Sequence, residues 1–458
     1  MSLRFIYGRA GSGKSYYCLN DIKERMDRGI TNPLVLLVPE QFSLQAERDL
    51  VKTMGTGGII KTEVLSFKRM AYRVFNEVGG ITHTRINSAG KCMVIHKILE
   101  NMKDDLKIFS KSAGQQGFVN TVSDLIAEFK RYDITPEDLE KAHKAYIGRK
   151  SKTDLNEENL DANLDAIDQL LIHKLKELAL ICREYEKTIC DNYRDADDDL
   201  TMLYEKLDKT TMFNDAEIWI DEFSGFTSQE YKIISKLMEK AHRINVSLCT
   251  DCLIDDDSWD GYGYKYMDHT DVFSPVKNVV GKLMGIAKEL NIPVESPVIV
   301  EKYNLNSKDG RPNYRFKDST ELDHLEKYFF SFPYKQYKGD KDKDGELKKT
   351  KDISIFTASN ICAEIEYTAR DIIGLCRDRG LRYRDITVVC GNLDIYEKFI
   401  RTIFTEYGIP FFIDKKRDIN KHPLIQLIIS IFEIFIYNWS YESVFGYLKT
   451  GLTGIPRE

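Results

Sequence analysis

Leu3-Arg4-Phe5-Ile6-Tyr7 runs straight into Gly8-Arg9-Ala10-Gly11-Ser12-Gly13-Lys14-Ser15. The second stretch matches G-x-x-x-x-G-K-[ST] in full, after an apolar strand and at the start of a helical pattern, as phosphate binding requires. Gly8, Gly11 and Gly13 allow positive φ and close backbone approach, so that successive N–H groups and a helix N-terminus can face phosphates. Arg9, Ala10 and Ser12 complete the loop. Lys14 is expected at the β- and γ-phosphates and the Ser15 hydroxyl on Mg²⁺. The loop predicts an ATP–Mg²⁺ site in an α/β fold of the P-loop NTPase class; a chance glycine turn is the alternative.

Outward from the loop, Ser15 to Arg28 has helical spacing and Gly29 ends it. Leu34-Val35-Leu36-Leu37-Val38 is apolar throughout, the pattern of a strand buried on both faces of a parallel sheet, and Pro39 closes it. Thr62 to Leu65 reads as a third strand, with a helix carrying Met70, Val74 and Phe75 behind it. From about Gly90 to Tyr193 the pattern is helical, at Met93–Leu99, Phe118–Phe129 and Leu164–Ile189. Strands return at Ala216–Ile220 and Ile244–Leu248, flanking a helix around Tyr231 to Met238.

Lys335 to Lys351 mixes Lys with Asp and Glu around Gly339 and Gly345, and reads as a solvated linker. Beyond it, strands at Ile353–Phe356, Ile386–Cys390 and Pro410–Ile413 with a helix at Ala363–Arg377 suggest a second, unfinished α/β domain. A buried helix, Leu424–Tyr437, is expected to pack on its sheet, and the chain reads as a piece of a longer protein.

Composition bounds the function classes. The 458 residues, 42% hydrophobic and 30% charged, describe a globular chain of two to four units. The formal charge of -6 gives no global basic signature, so a nucleic-acid site has to be a local groove. Nine scattered Cys read as reduced thiols, and no stretch has the length of a membrane span or a secretion signal, so a cytoplasmic, membrane-free protein is expected. Cys249-x-x-Cys252 lacks a second ligand pair, and no H-E-x-x-H occurs.

A P-loop needs an acidic partner, and Ile218-Trp219-Ile220-Asp221-Glu222 offers an apolar strand ending in two carboxylates. Asp221 would hold Mg²⁺ through its water shell and Glu222 would orient or deprotonate an attacking water. A solvated strand end is the alternative.

The loop, together with Leu37-Val38-Pro39-Glu40-Gln41-Phe42-Ser43-Leu44-Gln45-Ala46-Glu47 and Val64-Leu65-Ser66-Phe67-Lys68-Arg69-Met70-Ala71-Tyr72-Arg73-Val74, resembles the AddB family, the B subunits of bacterial AddAB helicase-nucleases and relatives of superfamily 1 helicases. Asp195-Ala196-Asp197-Asp198-Asp199-Leu200 is similar to the family's lead-in before the acidic strand, and Leu381-Arg382-Tyr383-Arg384-Asp385-Ile386 to the start of its second motor domain. The resemblance implies a helicase-like domain 1A from 1–89 and 194–334, an inserted helical 1B domain from 90–193, a linker from 335–351, and a partial domain 2A, with the possible start of 2B, from 352–458.

It further implies DNA, as a single strand or duplex end, and an AddA helicase-nuclease as heterodimer partner, in double-strand-break repair and recognition of the Chi regulatory sequence. Gln41 and Phe42, and Ser66, Phe67 and Arg69, are similar in position to DNA-contacting loops; for Phe42 a core position, and for Arg69 a solvated helix position, are the alternatives. The family's nuclease metal and iron–sulfur cluster lie outside this chain. Three departures stand out: the glutamine that reads adenine in active relatives has no counterpart ahead of Leu3, Cys249 to Asp255 replaces the Gly-Asp and Gln that couple ATP to DNA, and Cys390 stands where relatives place an arginine on the γ-phosphate. The expectation is a module that binds ATP but turns it over slowly, with an autonomous single-strand-dependent ATPase or a P-loop scaffold as alternatives.

Overall fold

Leu34 and Leu36 face one side of their strand and Val35 and Leu37 the other, and all four are buried, as a strand between two helical layers must be. In the computed structural model, which describes residues 1–55, 62–79, 84–151, 166–253, 270–300, 315–316, 318–339, 350–414, 419 and 422–454, six strands form one all-parallel sheet. They are β1 (Leu3–Gly8), β2 (Leu34–Leu37), β3 (Thr62–Leu65), β4 (Glu217–Ile220), β5 (Arg243–Cys249) and β6 (Val298–Ile299), in the order β3-β2-β4-β5-β1-β6. The register sets Gly8 beside Cys249, and Leu37 beside both Leu65 and Ile220, so the carboxyl ends share one edge. Open parallel sheets bind ligands at that edge.

Helices α1 (Lys14–Asp27) and α2 (Ser43–Met54) cover one face, packing Cys18, Ile22 and Leu50 on Ile6, Leu36, Val64 and Trp219. Helix α3 (Phe67–Val78) lies on the other face. Next in the chain come α4 (Ser88–Asn101), α5 (Gln116–Arg131), α6 (Pro136–Ser151) and α7 (Ala166–Asn192). These four gather around a separate core that includes Ile95, Leu99, Val122, Ile126 and Tyr185. The first residues expected in α7, Leu164 and Asp165, and part of the expected linker, 340–349, lie outside the described residues. Helices α8 (Asp199–Lys206), α9 (Ser228–Lys240) and α10 (Ser274–Glu289) complete the second face of the sheet, with Leu203, Ile233, Leu237, Val280 and Leu283 in its core. Thr227 starts α9 with a reciprocal capping box to Glu230. Helix α11 (Thr320–Tyr328) is capped by Ser319.

The run from Asp195 to Asp199 is an ionic junction, with Asp195 and Asp199 buried and Asp197 and Asp198 half-buried. Asp195 accepts from Lys91 on α4 and Lys130 on α5, each at 3.1 Å, and from the Tyr185 hydroxyl on α7 at 2.8 Å. Lys91 also reaches Asp197 at 2.7 Å, and Lys130 reaches Asp198 at 2.7 Å. Arg194 pairs with Asp199 at 2.5 Å and stacks on Phe75 of α3. Buried charges persist only when paired and hydrogen-bonded in this way, and the pairs pin the helical segment to the sheet.

Residues Met1–Asp352 form one compact unit and Ile353–Glu458 another. In the second, α12 (Ile361–Arg379) and α13 (Leu393–Glu406) pack Ile365, Ala369, Ile372, Ile400 and Phe404 together, followed by α14 (Pro423–Ile436) and α15 (Tyr441–Lys449). Here the fold departs from the expectation of strands. The apolar runs Ile353–Phe356, Ile386–Cys390 and Pro410–Ile413 are extended but form no sheet among the described residues, and Ile355, Val389 and Phe412 are about nine-tenths exposed. A strand exists only through a neighbour that completes its hydrogen bonds, which β-propensity does not supply. The expected buried helix corresponds to α14, but Phe432, Phe435 and Ile436 face solvent and only Ser430 and Ile434 are buried. No described helix is long and apolar enough to cross a membrane.

Candidate functional site

The site is built where β1 and β4 end. After Gly8 the chain turns through Gly11 at φ +78° and Gly13 at φ +99°, conformations that side chains other than glycine's adopt at a cost. At Gly8 itself the constraint is space: a Cβ would stand 2.6 Å from Ser12 Oγ. Gly13 caps α1, leaving the first N–H groups of that helix without intrahelical partners and available to an anion. Lys14 Nζ donates to the carbonyls of Gly8 and Arg9, each at 3.0 Å, and so lies across its own loop.

Arg9 turns elsewhere. Its Nε donates to Glu326 Oε1 at 2.8 Å, its Nη2 to the Glu326 carbonyl at 2.5 Å, and its guanidinium lies 5.3 Å from the centre of the Phe273 ring. Nothing in the sequence around Glu326, a charged residue on an amphipathic helix, announced this contact.

From the other strand, Glu222 Oε1 accepts from Ser15 Oγ at 2.7 Å. Asp221 is 5% exposed, and its N–H donates to the Leu37 carbonyl at 3.0 Å. Burial pushes its carboxyl above the ordinary range, the hydroxyls of Ser247 and Ser15 oppose that shift, and the neighbouring Glu222 charge adds to it. A carboxylate in this position is stabilised by a cation. Glu222 has φ +66°, a left-handed conformation for a non-glycine residue, which costs about 1–3 kcal/mol and is retained at functional sites. Ser247 escaped the sequence reading; its signal is a hydroxyl at a fully buried level of the run Ile244–Leu248. Below the loop, Cys18 is buried and its thiol is pushed well above its ordinary range, by burial first and by Asp221 and Asp21 next.

These groups fit a magnesium-bound nucleoside triphosphate. The loop N–H groups, the α1 N-terminus and Lys14 offer donors to phosphate oxygens, while Ser15 and Asp221 offer the oxygen ligands Mg²⁺ prefers. Separately, a cleft of about 700 Å³ runs from Ser12 and Gly13 along α1, lined by Tyr16, Tyr17, Asn20 and Lys23 and by the carboxylates Asp21, Glu24 and Asp27.

The DNA candidates separate into two groups. Gln41 and Phe42 sit on the 3-10 turn Glu40–Phe42 at the end of β2, and both are exposed, Phe42 at 39%. Arg69 is exposed and paired with Glu47. Ser66 and Phe67 are buried: Ser66 caps α3 through the Arg69 N–H and donates to Glu40 at 2.8 Å, and Phe67 packs edge-on against Phe223.

At the end of β5, Thr250 is fully buried and donates to the Cys252 carbonyl at 2.9 Å, while Asp251 lies 3.4 Å from Lys277. Ile254 and Asp255 of that stretch lie outside the described residues. Cys390 is half-buried in the second unit.

A family model described as "ADDB, N-terminal" matches residues 5–326. A protein of Acetivibrio thermocellus, named as the B subunit of an ATP-dependent helicase/deoxyribonuclease, is 55% identical over 458 residues, 100% of this chain and 36% of that protein. Its namesakes in Clostridium botulinum (strain Loch Maree / Type A3) and Ruminiclostridium cellulolyticum are 50% and 48% identical, over 100% and 99% of this chain and 36% of each relative. The chain therefore spans 36% of the length of these relatives. With a match over residues 5–326 that takes in the P-loop, the two carboxylates and all six strands but two residues of the first, the chain belongs to the AddB N-terminal family.

Proposed function

We propose that this chain is the ATP-binding, DNA-handling helicase-like part of the B subunit of an ATP-dependent helicase/deoxyribonuclease, acting on DNA ends in double-strand-break repair beside an AddA-type helicase-nuclease. The observation that carries the reading is the Ser15–Glu222 contact next to buried Asp221, which assembles the P-loop and the acidic strand end at one edge of the sheet. When bound, Mg²⁺ would screen the charge of the phosphates, held by the Ser15 hydroxyl and, through its water shell, by Asp221. Lys14 leaves the loop carbonyls for phosphate oxygens, the α1 N-terminus orients them, and Glu222 takes a proton from water or orients it.

In this reading residues 90–193 serve as the 1B insert and 352–458 as a partial domain 2A. Gln41, Phe42 and Arg69 meet single-stranded DNA, with Ser66 and Phe67 holding their loops from below. Turnover is slow, because Cys390 stands where relatives place an arginine, a group worth 10³-fold or more in rate. The test is ATP binding and single-turnover hydrolysis with and without single-stranded DNA. Tight Mg-ATP binding with slow, weakly stimulated hydrolysis is expected. Fast DNA-stimulated hydrolysis or unwinding by this chain alone would instead establish the alternative, an autonomous motor.

A further inference from the structure

The phosphate loop is contacted from outside by Arg315 and by Glu326 of α11. Arg315 N–H lies 3.4 Å from the Gly11 carbonyl, and eleven positions on, Glu326 of α11 takes Arg9 through both its side chain and its carbonyl. The pair is largely withdrawn from water, Arg9 at 24% and Glu326 at 12% side-chain exposure, and Phe273 of the loop before α10 closes over the guanidinium. Arg9 is thus tied through both its side chain and its carbonyl. Its side chain is fixed to α11, and its carbonyl is one of the two acceptors of Lys14 Nζ. Lys14 has to leave that carbonyl to reach a phosphate, so its change of partner falls on the residue whose side chain α11 holds.

The opposite end of α11 holds the last residues of the first unit. Glu321 accepts from the N–H groups of Lys351 and Asp352, each at 2.9 Å, and Ser319 Oγ donates to Asp352 at 2.6 Å. One helix of nine residues therefore grips the phosphate loop at one end and the chain's exit from the unit at the other.

We propose that Glu326 is an autoinhibitory latch: it holds Arg9 away from the phosphates, and nucleotide binding and release of this contact promote one another. The inference rests on the nucleotide-binding reading above. The carboxylate detains a guanidinium whose planar fork of donors is suited to phosphate oxygens, so its inhibition acts through Arg9. Because coupling is reciprocal, phosphate binding also loosens α11 and with it the amides of Lys351 and Asp352.

The test is titration of the full chain with Mg-ATPγS, for wild type, Glu326→Gln, Arg9→Ala and the double variant, with thermal melting to verify folding and Lys14→Ala as the control for the loop itself. Glu326→Gln is expected to tighten binding about five-fold or more, Arg9→Ala to bind no better than wild type, and the double variant to behave as Arg9→Ala alone. Unchanged or weaker binding by folded Glu326→Gln, or a gain that persists without Arg9, overturns the latch. If Glu326→Gln does not fold, hydrogen exchange on the wild-type chain decides: faster exchange at Lys351 and Asp352 with Mg-ATPγS supports the latch, and unchanged or slower exchange overturns it. Wild type that binds no better than Lys14→Ala would remove the nucleotide reading itself, an outcome distinct from any of these.

Discussion

Ser15 and Glu222, 207 positions apart, are joined by a hydrogen bond of 2.7 Å, and the start of α1 is thereby fixed to the end of β4. Helix dipole, P-loop hydroxyl and both carboxylates then converge on one volume, where phosphoryl chemistry can be organised by position and charge.

Lys14→Ala should weaken Mg-ATP binding by about 100-fold or more, since the charge that meets the phosphates is lost. Its only described bonds are to two loop carbonyls, so the melting temperature should stay within about 4 °C of wild type. Calorimetric titration checks the first figure and a thermal scan the second; an unfolded Lys14→Ala chain would contradict the assignment.

Glu222→Gln should keep nucleotide affinity while slowing single-turnover hydrolysis by about 10²-fold or more, the usual worth of a positioned base. Asp221→Asn should instead abolish the Mg²⁺ dependence of binding. Rapid-quench measurement of phosphate release, with Mg²⁺-dependent titrations beside it, distinguishes the two, and equal effects on binding would refute the division of roles.

Phe42→Ala and Arg69→Ala should both weaken single-stranded DNA binding, in different ways. Loss of a stacking ring costs about 1–3 kcal/mol per base with little change in salt dependence. Loss of Arg69 should lower the salt slope by about one. Phe67→Ala, which empties a core position, should cost about 3–5 kcal/mol of stability instead. Fluorescence titrations over a range of salt, with urea unfolding alongside, read all three.

Asp195→Asn should destabilise the first unit by about 3 kcal/mol, because Lys91 and Lys130 stay buried after losing a shared carboxylate. Burial by itself pushes the Asp195 carboxyl up, but Lys130, Lys91 and the Tyr185 hydroxyl hold it below the usual carboxylate range. A depressed native pKa means that the unfolded chain takes the proton first, so the contribution is fully present above the ordinary range, about pH 4, and drains away as pH falls below it. Urea midpoints of wild type and Asp195→Asn at neutral and acid pH should converge on acidification; a constant gap would count against this account.

How much was legible differs between the two units. In the first, the G-x-x-x-x-G-K-S loop, the two-sided apolar run Leu34–Val38 and the Ile218–Glu222 strand end are local patterns whose chemistry allows few meanings, and the sequence alone determined a parallel α/β sheet with the P-loop and two carboxylates at its strand ends. The strand order, the approach of Ser15 to Glu222, the hydroxyl of Ser247 beside Asp221 and the grip of Glu326 on Arg9 were decided by tertiary structure, since each joins groups that no periodicity relates. The same reason explains the misreading beyond Asp352. Ile353–Phe356, Ile386–Cys390 and Pro410–Ile413 carry strand composition, but pairing is a property of two segments, and composition reports on only one of them.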